Sequence, residues 1–293
     1  MSKDFQVVIG AFSFGCLNRT ARCLFGSLCA ITASVVAAGQ SVQPMPRMAA
    51  NGSSACYSEN SDTGALRDFG RNMQDLALAN PVFDRFEVSD EEERRAGREA
   101  ERELLKEKKI WNDSAARQRL EGIFSRVVST VKNKKALTYK IILVDSEDVN
   151  ASTIGGVVFF YRGMYEFARS DSELAAVLGH EIQHNELGHI KMKLKKYKIS
   201  ESVAGDGAGV AMMIDRVVFA SFNQKDEIDS DLTGVDLVEK AGFNGCDAVN
   251  LWRRMGEQRS RVPLGDLLQS HPYSGLRESC LKEHLLQRHG RRC

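Results

Sequence analysis

The sequence has no excess of either charge, no Cys-x-x-Cys pair and no internal repeat. Its 40 lysine and arginine side chains balance 39 aspartates and glutamates, for a net charge of +1, which gives no reason to expect binding to nucleic acid. None of its seven cysteines is paired at zinc-finger spacing, so a zinc site made of cysteines is not indicated. A hydrophobic content of 43% is ordinary for a soluble globular protein.

Hydrophobic runs long enough to span a membrane are also missing. The uncharged apolar stretch at residues 23–38 follows Arg19 and Arg22. It is shorter than the roughly 20 residues of a membrane-spanning helix but suits the core of a secretory signal. Val36-Ala37-Ala38 offers the small side chains of a cleavage site. We therefore expect residues 1–40 to be a signal peptide or membrane anchor, and the protein to be exported, either periplasmic or membrane-associated. A mitochondrial presequence is the alternative.

The segment that follows, residues 41–87, lacks periodicity and is expected to form a linker or N-terminal segment. Four cysteines lie beyond the leader: Cys56, Cys246, Cys280 and Cys293. In an exported protein they could form up to two disulfides, and their spacing alone does not assign the pairs.

Local patterns favour an α+β fold that is mostly helical with a small mixed sheet. Ser89-Asp90-Glu91-Glu92 and Ser170-Asp171-Ser172-Glu173 are capping boxes, each of which predicts the start of a helix. Two apolar, β-branched runs, residues 139–144 and the segment after Gly155-Gly156, are typical of strands. Further helices are expected over about 113–131, 225–240, 247–258 and 274–288.

The most informative motif lies in the second capped helix, where residues 178–189 read LGHEIQHNELGH. Each residue of an α-helix advances by about 100°, so His180 and His184 lie about 40° apart on one face and could bind one zinc ion. Glu181 lies beside that face, which suits a carboxylate that takes a proton from water without binding the metal. This spacing predicts a zinc metallopeptidase.

A catalytic zinc ion needs a third protein ligand and one open position. His189 is about 140° round the helix from His184, so it is excluded as a ligand while the helix continues. We expect it to be structural or to support a ligand from behind. Glu227 is the better candidate. It precedes Asp231 by four residues on a predicted helix, so Glu227 could bind zinc while Asp231 accepts the other ring N–H of a zinc-bound histidine. An exposed acidic helix face is the alternative.

Together these segments resemble the HtpX-type zinc metallopeptidases of family M48. The similarity covers residues 88–288 and rests on GHEIQHNELGH, on ExxxDxxG and AGFN further along, and on the segment DVNASTIGGVVFFYRGM. It also includes His271-Pro272 with Arg277 six residues beyond the histidine, as in the family's HPxxxxR. The soluble periplasmic LoiP-like branch is the most similar, and the mitochondrial Oma-type enzymes are more distant.

The resemblance implies a zincin-like (gluzincin) metallopeptidase domain over residues 88–290 with one zinc ion per chain. His180, His184 and Glu227 would bind the metal, and Glu181 would be the general base. His271 and Arg277 would stabilise the developing oxyanion or anchor the substrate. The substrate backbone would pair with the strand that begins at Val157 and Val158, and the preceding Gly155 and Gly156 would let it approach closely.

The implied activity is a zinc-dependent endopeptidase that cleaves unfolded or membrane-associated proteins in envelope quality control. Its partners would be polypeptide substrates and no nucleic acid, and any membrane association would be through the N-terminal segment. A non-catalytic alternative is a zinc-stabilised module that binds peptides or acts as a chaperone. Glu181 favours the enzyme, because a purely structural zinc site has four filled positions and needs no base.

Overall fold

The computed structural model describes residues 56, 86–132, 137–204, 209, 213–257, 270–272 and 275–293. The predicted signal segment lies outside these residues, as does the expected linker apart from Cys56, Phe86 and Glu87. Across the described ranges, helix length and hydropathy together fall short of what a bilayer-spanning segment requires.

The described chain is mostly helical with one small mixed sheet, which confirms the predicted fold class. In chain order its elements are α1 (Asp90–Glu107), α2 (Ser114–Ser129), β1 (Lys140–Val144), β2 (Ala151–Ile154), β3 (Val157–Tyr161), α3 (Arg162–Phe167), α4 (Asp171–Glu186), α5 (His189–Ala204), a π-helical turn (Asp215–Phe219), α6 (Gln224–Lys240), α7 (Cys246–Glu257) and α8 (Gly275–His289).

Both predicted N-caps start helices. The hydroxyl oxygen of Ser89 accepts the Glu92 N–H at 3.2 Å, and the Glu92 carboxylate accepts the Ser89 N–H at 2.8 Å. Ser170 accepts the N–H of Glu173 at 3.1 Å, while the Glu173 carboxylate accepts the N–H of Arg169 at 2.7 Å. These bonds satisfy backbone donors that the first turn leaves without helical partners, so α1 and α4 begin at fixed points.

The sheet has the strand order β1-β3-β2, with β1 parallel and β2 antiparallel to β3. Gly155 and Gly156 form the two-residue turn between β2 and β3, with φ angles of 58° and 85°. Two successive positive φ angles are the conformation of a type I′ hairpin turn, which glycine adopts without steric cost. The role of the two glycines is therefore to form the turn of this hairpin.

The expected pairing of substrate with the segment at Val157 and Val158 is wrong, because β3 is the central strand. It pairs with β1 along its whole length and with β2 from Val157 to Phe160. Its backbone groups are thus already hydrogen-bonded inside the sheet. The outer side of β1 is partly covered, since the Trp111 N–H donates to the Leu143 carbonyl. Within the described sheet, β2 is the other edge strand, and all four of its residues are buried.

Apolar layers cover the sheet on both faces. Val158 and Phe160 face a core that includes side chains of α2, α4, α6, α7 and α8. Val157, Phe159 and Tyr161 face a second layer built with α1, α5 and the π-helical turn. A strand buried on both faces reads as a continuous apolar run, here VVFFY. The first of these layers fixes the position of α4.

Helix α4 ends sooner than the sequence pattern predicts. Leu187 caps it, and Gly188 follows with a φ of 82°, in the left-handed region that favours glycine. A new helix, α5, begins at His189. The prediction that one helix continues through His189 is therefore wrong, and the angular argument that excluded this residue as a ligand loses its premise.

Cys56, Cys246, Cys280 and Cys293 form two disulfides. Cys56 is bonded to Cys280 on α8, and Cys246 at the start of α7 is bonded to Cys293. The Cα–Cα distances of 5.5 and 5.3 Å are typical of such bonds. The first bond joins part of the N-terminal segment to α8, and the second joins the C-terminal end to α7.

Gly155→Ala is expected to lower the free energy of unfolding by about 2 kcal/mol or more, because it combines a left-handed backbone with steric overlap. A Cβ at this position would lie 2.1 Å from the carbonyl oxygen of Glu93. The midpoint of urea unfolding measures the effect. Gly122→Ala in α2 is the control, since its Cβ would meet nothing within 4 Å. That change should stabilise by about 0.5–1 kcal/mol, and equal midpoints for the two variants would contradict the account.

Candidate metal centre

Helices α4 and α6 meet backbone to backbone at a pair of glycines. A Cβ on Gly179 would lie 2.9 Å from the carbonyl oxygen of Gly234, and a Cβ on Gly234 would lie 3.0 Å from the backbone nitrogen of His180. Larger side chains would hold the two helices apart. This close approach brings Glu227 and Asp231 of α6 next to His180.

Four side chains converge at this crossing. His180, His184, Glu227 and His271 each offer one ligand atom, and these atoms all lie within 4.8 Å of one another. The Nε2 atoms of His180 and His184 are 3.0 Å apart. The Glu227 carboxylate oxygens lie 3.6 Å from Nε2 of His180 and 3.4 Å from Nε2 of His184. The structure thus brings together the three ligands expected from the sequence and adds His271.

The position of His271 differs from the one expected of an oxyanion-stabilising group. Its Nδ1 lies 2.9 Å from Oε1 of Glu227 and 3.2 Å from Nε2 of His180, among the candidate ligands. Its Nε2 lies 3.6 Å from Oε1 of Glu181. The sequence motif identified His271 as a candidate site residue. It could not predict the position of His271 among the ligands, because His271 lies 87 residues beyond His184 in the chain.

Glu181 lies beside the cluster. The residue is 2% exposed, and among the described residues its Oε2 has no hydrogen-bond partner. A buried carboxylate oxygen without a partner is costly and requires an explanation. A water molecule or a metal ion held by the neighbouring ligands would supply one, and this is where a general base for such a water is expected.

Asp231 and Arg277 support the cluster from behind. Oδ1 of Asp231 lies 2.9 Å from Nδ1 of His180, the arrangement expected from the sequence. Arg277 donates two hydrogen bonds to the Asp231 carboxylate, at 2.6 and 2.8 Å, and its Nη1 lies 2.5 Å from Oε2 of Glu227. Its guanidinium also lies over the ring of Trp252.

The expected contact of Arg277 with substrate or oxyanion is therefore not supported. The residue is 1% exposed, and its guanidinium is directed at two buried carboxylates. The charge-assisted hydrogen bonds and the ion pair fix the direction of both carboxylates. Arg277 is better described as a positioning residue for Glu227 and Asp231.

The outer side of His184 is enclosed by three side chains. Nδ1 of His189 lies 3.0 Å from Nδ1 of His184, which places His189 behind the ligand. The ring of Phe222 stacks on that of His184 with centroids 3.7 Å apart, and Nζ of Lys193 lies 3.2 Å from the Phe222 centroid. Sequence reasoning missed Phe222 and Lys193, because neither belongs to a ligand motif. The turn at Gly188 that redirects α5 would have been the signal.

The two zinc-ligand histidines expected from the sequence have different electrostatic environments. Burial opposes a positive charge on His180, but its hydrogen bond with Asp231 and the charge of Glu227 outweigh burial and raise its pKa. Burial, together with the neighbouring His180, holds the pKa of His184 well below its usual value. His184 is therefore neutral, as a metal ligand must be.

The carboxylate of the cluster stays ionised despite its environment. Burial disfavours the charge of Glu227, but Arg277 and His271 outweigh burial and hold its pKa well below the usual range. Burial also lowers the pKa of Lys193 to about 7 and that of His189 to about 4. The interior around the cluster thus disfavours every charge that lacks a partner of opposite sign.

Comparison with known proteins identifies the family to which this chain belongs. The model of peptidase family M48 matches residues 114–285. The chain is 23% identical over 193 residues to the β-barrel assembly-enhancing protease of Escherichia coli, and this match covers 58% of this chain and 39% of the protease. It is 26% identical over 164 residues to the mitochondrial metalloendopeptidase OMA1 of Arabidopsis thaliana, and the match covers 54% of this chain and 33% of OMA1. It is 22% identical over 166 residues to the metalloprotease LoiP of Escherichia coli, and the match covers 52% of this chain and 64% of LoiP. The chain therefore spans well under half the length of the first two relatives.

Arg277→Met is expected to lower the free energy of unfolding by about 3–5 kcal/mol, because it removes the cation from two buried carboxylates. Urea unfolding in the presence of a chelator measures this effect without a contribution from bound metal. Arg98→Met is the matched control, since the ion pair of Arg98 with Glu91 is exposed on both sides and should contribute little. A loss no larger than that of the control would contradict the positioning role.

Proposed function

Because this chain belongs to peptidase family M48, we propose that it is a zinc-dependent endopeptidase acting on polypeptide substrates. The observation that carries the proposal is the convergence of His180, His184 and Glu227 next to a buried, unpartnered oxygen of Glu181. Three protein ligands with a base beside them match the requirements of a hydrolytic zinc site.

The donor set fits zinc. Two imidazole nitrogens and one carboxylate are ligands that zinc accepts in peptidases. The contact of Asp231 with Nδ1 of His180 fixes the tautomer in which the lone pair of Nε2 faces the cluster. Zinc bound there would polarise the scissile carbonyl and make water a sufficient nucleophile at neutral pH.

The chain's own residues supply proton transfer and positioning. Glu181 is held rigidly on α4, takes a proton from the attacking water and delivers it to the amine nitrogen of the leaving peptide. Arg277 keeps Glu227 ionised and holds Glu227 and Asp231 in place, so that the ligands need no rearrangement when the substrate enters. The edge strand β2, Ala151–Ile154, is held against α4 by a hydrogen bond from Asn185 to Thr153. An extended substrate would add to this strand once the groups that bury it have moved.

A non-catalytic zinc module is a second candidate, and the position of His271 favours it. With His271 as a fourth ligand the site would be closed, as structural zinc sites are. Under the catalytic proposal, the His271 ring leaves the fourth position when water or substrate enters. The two candidates therefore differ in whether zinc-loaded protein cleaves polypeptides.

We also propose that the protein acts outside the cytoplasm, in quality control of unfolded or membrane-associated proteins of the envelope. The pairing of all four cysteines beyond the leader into disulfides supports an oxidising compartment. The name of one relative, a β-barrel assembly-enhancing protease, is consistent with a role of this kind. The similarity to OMA1 leaves mitochondria as the alternative location.

Purified protein is expected to hydrolyse casein, and Glu181→Gln to lower the rate about 100-fold or more without loss of zinc, because Glu181 is the base and no ligand. Glu186→Gln is the matched control. It removes a carboxylate of the same helix that accepts a hydrogen bond from Tyr139, and it should leave the rate unchanged.

A zinc chelator should stop hydrolysis by the wild type, and added zinc should restore it. A Glu181→Gln variant as active as the wild type would refute the mechanism. Zinc-loaded wild type that cleaves no denatured protein would support the closed, non-catalytic site instead.

Protein recovered from the periplasm of a bacterial host is expected to have no free thiol at Cys56, Cys246, Cys280 or Cys293. Alkylation under denaturing conditions followed by peptide mapping tests this, with a reduced sample as the control. Modification of these four residues without prior reduction would argue against the proposed compartment.

A further inference from the structure

A second cluster of histidine and carboxylate groups lies on the opposite side of α6 from Glu227. Asp236 is nine residues beyond Glu227, which places it about 180° round the helix and about 13 Å further along its axis. Its Oδ1 lies 2.9 Å from Nε2 of His284 and 2.6 Å from Nε2 of His289. The ligand atoms of these three residues lie within 4.8 Å of one another. None of them takes part in the proposed hydrolysis.

The distribution of histidine in the chain emphasises this cluster. The sequence has only six histidines, and all of them lie in one of two groups. Four surround the candidate zinc site, and the remaining two, His284 and His289, contact Asp236. The residue type that divalent transition metals bind most often is thus confined to two places in the fold.

The geometry of the second cluster is close to that of the first. Its closest ligand atoms are 2.6–2.9 Å apart, compared with 2.9–3.6 Å in the first cluster. Two ligands at tetrahedral positions about 2.0–2.1 Å from one zinc ion are roughly 3.3 Å apart. The contact with His284 must therefore lengthen by about 0.4 Å and the contact with His289 by about 0.7 Å. His289 is the last residue of α8 and can shift by that amount.

The charges around the cluster permit a cation. The Asp236 carboxylate contacts an imidazole nitrogen of both His284 and His289, and a divalent cation bound between them would become its partner of positive charge. Nη2 of Arg288 lies 3.5 Å from Oδ2 of Asp236 and would repel a metal ion, but this side chain is 65% exposed and can turn towards solvent.

We propose that Asp236, His284 and His289 form a second metal site, which takes a borderline divalent cation such as zinc. Two imidazoles and one carboxylate favour zinc, nickel or copper over calcium or magnesium, which prefer oxygen ligands. The side chains of the cluster are 6–19% exposed, so a bound ion would be largely shielded from bulk water. The site does not depend on peptidase activity.

An ion at this position would reinforce the contact between α6 and α8. Arg277 and His284 are seven residues apart on α8 and therefore lie on nearly the same face. They contact Asp231 and Asp236 of α6, respectively. The second ion would therefore act as a clamp on the helix that positions Arg277, and so on the first site.

Zinc content after equilibrium dialysis of the full chain tests the proposal. The wild type is expected to bind two zinc ions per chain, and His289→Gln to bind one, with casein hydrolysis retained. The double variant His180→Gln/His184→Gln should also retain one ion, and His289→Gln in that background should bind none.

Arg288→Gln is the matched control, because it removes a neighbour of Asp236 without removing a ligand. It should still bind two ions, with equal or higher affinity at the second site. His289 is partly exposed at a helix end, so its substitution should leave the circular dichroism spectrum unchanged. A His180→Gln/His184→Gln variant that binds no ion would overturn the proposal and leave Asp236 as an acceptor of hydrogen bonds only. A wild type whose single ion is lost in His289→Gln would instead count against the first site.

Discussion

The buried ion network of Glu227, Asp231 and Arg277 is the interaction on which the rest of the site depends. Two carboxylates in an interior with almost no access to water are unstable unless a cation neutralises them. Arg277 does so with its planar, fixed set of donors, which also determines the direction of each carboxylate. The same contacts give Glu227 the ionised state of a metal ligand and let Asp231 fix the His180 tautomer. The stability of the fold and the arrangement of the metal ligands thus both depend on the guanidinium of Arg277.

This network constrains three helices at once. Helix α6 must lie against α4, which the facing Gly179 and Gly234 permit, and α8 must lie against α6 so that Arg277 reaches both carboxylates. Cys280 is one helical turn beyond Arg277 and is bonded to Cys56, so part of the N-terminal segment is covalently joined to α8 next to the arginine. Any change that moves α8 must also move the cation away from Glu227.

The sequence predicted those parts of the site that depend on spacing within one helix. His180 and His184, and likewise Glu227 and Asp231, are four residues apart, and the helical period alone brings each pair to one face. Strand order was not predictable in this way, because the central position of β3 depends on pairing with β1 across a long connection. His189 illustrates an error of a different kind. Gly188 is a typical signal for the end of a helix, and the helix that was expected to continue through His189 ends there.

The relation between Glu181 and His271 decides between a catalytic and a closed site. If His271 permanently filled the fourth position, Glu181 would be a buried carboxylate with one oxygen unpartnered among the described residues and no water to activate. Such a group costs about 1–3 kcal/mol, or more when it is charged, and an apolar side chain would remove that cost. A site in which His271 can withdraw gives the same oxygen a water proton to accept. Hydrolysis gives this placement of Glu181 a role for the proton acceptor as well as a partner for the buried oxygen, and this favours the proposed catalytic site over a structural zinc module.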